Sequence, residues 1–167
     1  KGRMLASFLL WRTPEGFRML LPRAVLPAVH KRLQMFVLRA KVKVTDRSNA
    51  DVLIGASGPE APAALSRALG VAPMQPHAVA ASEAGVVLAL PGGRSIAAIA
   101  TERAASVWAS LTTTLRPAGA LCWNWLDIVN GIAYVLPPTQ DQFVPQMANM
   151  ELVGGVSFKK GCYPGQE

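Results

Sequence analysis

Twice along this chain an apolar run is turned back on itself by a proline–glycine step, and each time a helical pattern follows. The first step is Thr13 to Gly16, TPEG, between the apolar, strand-like residues 4 to 12 and the run Phe17 to Leu21. Proline is pre-set for the corner of such a turn, so the segment reads as a hairpin with a four-residue loop. The second step is Pro91-Gly92-Gly93, between strands at Val86 to Leu90 and Ser95 to Ala100. Its PGGRS letters lack the GK[ST] ending of a phosphate loop and read as a hairpin turn. Antiparallel hairpins that alternate with helices place the chain in the α+β class.

After the first hairpin, Pro22 and Arg23 open a helix, proline being tolerated in a first turn. Val25, Leu26, Val29, Leu33, Phe36 and Val37 fall on one face of it and are expected to point inward. His30, Lys31 and Arg32 lie mostly off that face, and His30 has no partner at metal-ligand spacing, so it reads as a surface histidine. Lys41 to Thr45, KVKVT, alternates cleanly, which predicts a strand with Val42 and Val44 facing a core. Hairpin, helix, strand is the tail of a split βαβ, or ferredoxin-like, unit, whose first strand and helix are expected upstream of Lys1.

A polar step at Arg47-Ser48-Asn49 leads to a second segment. Asp51 to Ala56 is a strand, Gly58-Pro59 breaks it, and Pro62 to Leu69 is an alanine-rich helix closed by Gly70. Val71 to Pro76 reads as loop. Past the second hairpin, Glu102 to Leu115 is a helix with Ala104, Val107, Trp108, Leu111 and Leu115 inward. Cys122-Trp123-Asn124-Trp125 then follows a Pro-Ala-Gly loop. On a strand, Trp123 and Trp125 would share a face. Such a pair is either core packing or a flat wall on which an aromatic ring stacks. Cys122, between Leu121 and Trp123, is expected to be buried and inert.

Composition narrows the classes. Over 167 residues the chain is 51% hydrophobic and 16% charged, a globular balance. No run approaches the roughly 18 apolar residues of a membrane helix, and no signal-peptide pattern stands at the start. Two cysteines, Cys122 and Cys162, make no disulfide framework, which suits a reducing cytoplasm. The net charge of +7 is uneven. Residues 1 to 47 hold eleven Lys or Arg against Glu15 and Asp46, a balance of +9. Residues 48 to 167 hold six against eight, a balance of −2. The basic segment is either a solvated surface or a face for an anion, such as nucleic acid or a polyglutamate tail.

The last fourteen residues, GGVSFKKGCYPGQE, show neither period. Val156 and Phe158 suit one face of a short strand; Lys159, Lys160 and Gly161 then lead to Cys162, and Pro164-Gly165 is turn chemistry. A thiol on a tight loop beside two ammonium groups favours the reactive thiolate; the alternative is a buried cysteine acting as a small hydrophobe. The octapeptide Lys160-Gly161-Cys162-Tyr163-Pro164-Gly165-Gln166-Glu167 resembles the K-G-C-Y-x-G-Q-E signature of the YgfZ family, folate-binding relatives of the glycine-cleavage T-protein. Phe143 to Gln146, Gly154 to Phe158 and the opening Lys1-Gly2-Arg3 resemble the family too. Because the chain opens on Lys1 and closes on Glu167 within the signature, it is expected to be an internal fragment.

The resemblance implies the T-protein/YgfZ folate-binding fold, built of ferredoxin-like units. Residues 1–46 and 118–167 would be a discontinuous part of the first folate-binding domain, residues 47–117 a second small α+β domain, and the C-terminal barrel would be absent. It implies tetrahydrofolate as cofactor, with Trp123, Trp125, Tyr163, Gln166 and Glu167 around it, Cys162 as reactive thiol and Lys160 beside it, and no resident metal. It implies an accessory protein that supports iron–sulfur cluster assembly or repair and thereby tRNA modification, in the cytoplasm and away from membranes, with iron–sulfur enzymes or assembly proteins as partners. A single thiol does not hold a cluster alone. Two alternatives stay open. A tetrahydrofolate-dependent aminomethyltransferase would need a carboxylate for acid–base work, with Asp127 and Asp141 as candidates. A tRNA-binding protein would use the basic first segment, though it lacks the interleaved aromatics of RNA-recognition modules.

Overall fold

The computed structural model of the chain describes residues 2–157, 159 and 161. The chain divides into two units: the continuous segment Arg47–Trp125, and the described residues on either side of it. Both mix helices with antiparallel sheet.

In the unit before and after that segment, β1 (Leu9–Thr13) pairs with β2 (Gly16–Leu20). Thr13 faces Gly16 across the ladder, so the loop is Pro14-Glu15, tighter than the four residues expected. Helix α1 (Leu26–Val37) begins later than the sequence suggests, because Arg23 to Val25 form a turn before it. Arg3 to Ser7 is tied to the far end of the chain. Met4 N–H donates to the Phe143 carbonyl at 2.8 Å and Asp141 N–H to the Met4 carbonyl at 2.9 Å. Val135 N–H donates to Ser7 Oγ at 2.9 Å and Gln140 Nε2 to the Leu5 carbonyl at 2.7 Å. Trp11, Val25 and Val135 are buried here.

Three expectations fail in this unit. No residue of α1 itself is buried: Leu33 is 37% and Phe36 66% exposed, and only Val25, in the turn before the helix, is fully covered. Lys41 to Thr45 joins no strand among the described residues, and Val42 is exposed. The alternation is intact, but a strand without a partner has no sheet face to bury. His30 is half-buried rather than on the surface, with Nε2 3.1 Å from the Val44 carbonyl.

The segment Arg47–Trp125 builds β3 (Asp51–Ser57), α2 (Ala61–Leu69), β4 (Val79–Ser82), β5 (Gly85–Leu90), β6 (Arg94–Ala100), α3 (Thr101–Thr112) and the start of α4 (Ala120–Val129). The sheet is four-stranded in the order β3-β6-β5-β4, antiparallel throughout. Gly70 caps α2 in the left-handed region, at φ 74°, and its N–H donates to the Ser66 carbonyl at 2.8 Å. Period 2 on the strands and 3.6 on the helices meet in one core. Ile54 and Ala56 come from β3, Val87 from β5, Ala97 and Ile99 from β6. Leu65 and Leu69 of α2 and Val107 and Leu111 of α3 cover them. Full burial of a side chain such as Leu65 or Ile99 contributes about 1.5–3 kcal/mol.

Trp108 corrects the expectation for α3: Val107 and Leu111 hold the inward stripe, and Trp108, a further 100° round the helix, is 44% exposed. β4 lies at the sheet edge and went unread because VAAS has one large strand-former only. No helix among the described residues is long and apolar enough to cross a membrane.

Candidate functional site

The face of the sheet turned away from α2 and α3 carries the chain's most unusual packing. On β3, Ile54 and Ala56 point to the helices, so Gly55 between them points the other way. Gly55 pairs with Ile96, and Arg94 with Ser57, which puts Gly55 and Arg94 on one face two residues apart in register. Trp123, from the first turns of α4, lies on that face. An ideal Cβ at residue 55 would come within 2.6 Å of Cζ3 of its ring, so the indole reaches the strand because residue 55 has no side chain.

Arg94 is the second support. It is 1% exposed, the largest of the fully buried side chains. Its Nε donates to the Pro91 carbonyl at 3.1 Å, inside the turn that the second hairpin makes. Its Cζ sits 5.4 Å from the centroid of the Trp123 ring. A guanidinium at that distance is drawn to the ring's negative face, an attraction of about 0.5–2 kcal/mol depending on desolvation. Buried cation, bare backbone and indole thus hold one another in place. Trp123 is half-buried, not enclosed. The result is an indole held in a fixed orientation with a guanidinium beside it.

Other sequence-predicted residues fall elsewhere. CWNW is helical, not extended, so Trp125 stands about 200° round from Trp123 and is 61% exposed, apart from the platform. The same helix carries Cys122 to the outside; it is exposed, not buried as expected. Asp127 is buried at 3% exposure, whereas Asp141 is exposed with φ 59°. Lys160, Cys162, Tyr163, Gln166 and Glu167 lie outside the described residues, as does Phe158. Within that loop Lys159 is exposed and Val156 forms no strand; its N–H donates to the Met150 carbonyl at 3.2 Å. In the basic segment Arg12, Arg23, Lys31, Arg32, Arg39, Lys41, Lys43 and Arg47 are all exposed.

Sequence reasoning missed Gly55 and Arg94. Signals existed for both. A lone glycine inside a strand marks close approach of another group, and an arginine entering an otherwise apolar strand, RSIAAIA, needs an internal reason.

No family model matches the chain. Individual relatives match it from end to end. It is 31% identical over 169 residues to the tRNA-modifying protein YgfZ of Cronobacter sakazakii. It is 34% identical over 174 residues to that of Edwardsiella ictaluri, and 33% over 170 to that of Photorhabdus laumondii. Each alignment takes in 100% of this chain and 51% of the relative, so the chain spans about half the length of the proteins it matches.

Proposed function

From a chain that belongs to the YgfZ family, with a half-buried indole clamped on a buried cation, we propose part of a folate-binding accessory protein that supports iron–sulfur cluster assembly or repair and, through it, tRNA modification. The observation that carries this reading is the Trp123 platform. The aminopyrimidinone half of a tetrahydropterin is flat, and a half-buried indole held in a fixed orientation offers it a stacking surface. The relatives' shared name, tRNA-modifying protein, supports the downstream role.

In this reading tetrahydrofolate stacks on Trp123, and Arg94 keeps the ring from turning. Tyr163, Gln166 and Glu167 add polar contacts, and Cys162, its thiolate favoured by Lys159 and Lys160, acts as transient ligand or redox partner to iron–sulfur proteins in the cytoplasm. Folate supplies the one-carbon chemistry; the residues of this chain bind and orient it.

The test is a tetrahydrofolate titration of the full-length protein, followed by tryptophan fluorescence and calorimetry. Trp123→Ala is expected to weaken binding by about 1–3 kcal/mol, the range for a ring stacked on an aromatic platform. Trp125→Ala is expected to leave it unchanged. Equal affinities for wild type and Trp123→Ala overturn the reading.

A further inference from the structure

Helix α4 runs out on an asparagine–glycine step, Asn130-Gly131, which the Trp123 site does not use. Two backbone hydrogen bonds close its end. Gly131 N–H donates to the Ile128 carbonyl at 3.0 Å, and Ile132 N–H to the Asp127 carbonyl at 2.9 Å. With Gly131 in the left-handed region, at φ 69°, this pair is a Schellman closure. A Cβ on Gly131 would meet no atom within 4 Å, so the backbone angle alone calls for glycine there. Asn130 is the half-buried cap between helix and glycine. Its backbone N–H donates to the Leu126 carbonyl at 3.1 Å, and its Nδ2 to the same carbonyl at 2.8 Å.

Asparagine is a thermolabile residue, most of all before glycine, where no Cβ hinders the attacking nitrogen. Once the Gly131 N–H loses its proton to hydroxide, the nitrogen attacks Asn130 Cγ. The N–Cγ bond forms, the Cγ–Nδ2 bond breaks, and ammonia leaves with a proton taken from water. A second water opens the five-membered imide at either carbonyl, giving aspartate or isoaspartate. Water is the only co-reactant. In the closed turn both reacting groups are engaged: the nucleophile's N–H is held by Ile128 and the leaving amide by Leu126. The reaction therefore waits for the last turn of α4 to open.

We propose that Asn130-Gly131 is a deamidation site gated by the cap of α4, silent while the turn is closed and one-way once modified. Aspartate at position 130 sets a negative charge on the negative end of the helix. Isoaspartate lengthens the backbone by a methylene between the two hydrogen bonds that make the closure. Either product disfavours its return.

The test uses the full-length protein at neutral pH, native or unfolded in guanidinium chloride, with aspartate and isoaspartate at position 130 counted by peptide mapping. The native rate is expected to fall at least about 100-fold below the unfolded rate, a ratio that measures how seldom the turn opens. In guanidinium too dilute to unfold the protein, the rate is expected to climb while the near-ultraviolet circular dichroism stays native. Asn130→Asp is expected to speed hydrogen exchange at the Ile132 amide several-fold and to leave the β6 amides unchanged. Equal rates in the native and unfolded protein overturn the gate. A rate that climbs only with global unfolding also overturns it. An unfolded protein that keeps its Asn130 amide overturns the site, and unchanged exchange at Ile132 in Asn130→Asp overturns the one-way step. A failed folate titration leaves all these outcomes untouched.

Discussion

β6 and the Lys41–Thr45 segment both read as strands in the sequence and meet opposite fates. KVKVT alternates polar and apolar residues, while RSIAAIA is apolar on both faces after its first two residues. β6 lies between β3 and β5, and every residue from Arg94 to Ile99 is buried. Lys41 to Thr45 has no neighbour in a sheet among the described residues, and of its five residues only Val44 is even half-buried. Period 2 decides which side chains share a face. Whether that face is buried depends on strands and helices elsewhere in the chain.

That contrast is open to measurement, and the largest effect belongs to β6. Ile99→Ala deletes a fully buried side chain from the core under α2 and α3. Urea unfolding of the 167-residue chain is expected to show a loss of about 2–5 kcal/mol; a loss below 1 kcal/mol would mean that the core is looser than its packing. The middle effect is at Gly55. Its Cβ would meet the Trp123 ring, so Gly55→Ala must shift the indole or the strand, at about 1–3 kcal/mol in the same assay. Near-UV circular dichroism is expected to change with it, and an unaltered aromatic spectrum would dissolve the platform. The smallest effect is at Val42. Val42→Ala in the 167-residue chain is expected to stay within about 0.5 kcal/mol, as exposed substitutions do. A larger cost for the same change in the full-length protein measures what a partner strand adds.

Local signals carried much of the fold. Pro91-Gly92-Gly93 gave the hairpin, Gly70 the end of α2, and the stripe of Val107 and Leu111 the inner face of α3. Errors arose where a decision was not local. CWNW reads equally as strand or helix over four residues, and helical backbone separated the two tryptophans and exposed Cys122. α1 has an apolar face by its 3.6-residue spacing, and none of its residues is more than half-buried. At the site, Trp123 was legible as an aromatic candidate, but its supports were not. Gly55 and Arg94 are 39 residues apart in sequence and two apart across a ladder, a proximity that only register creates.

The four indoles of this chain sit in four different solvents, and that has an optical consequence. Trp11 is buried, with no acceptor for its Nε1–H among the described residues, so little dipolar relaxation surrounds its excited state. Trp108 and Trp125 face water, which relaxes around them and lowers the energy they emit. Trp123 has a cation 5.4 Å from its ring, and a fixed charge that close shifts the transition by its own field. Emission from the folded protein is therefore a superposition. Acrylamide reaches the two outer rings first and Trp11 last.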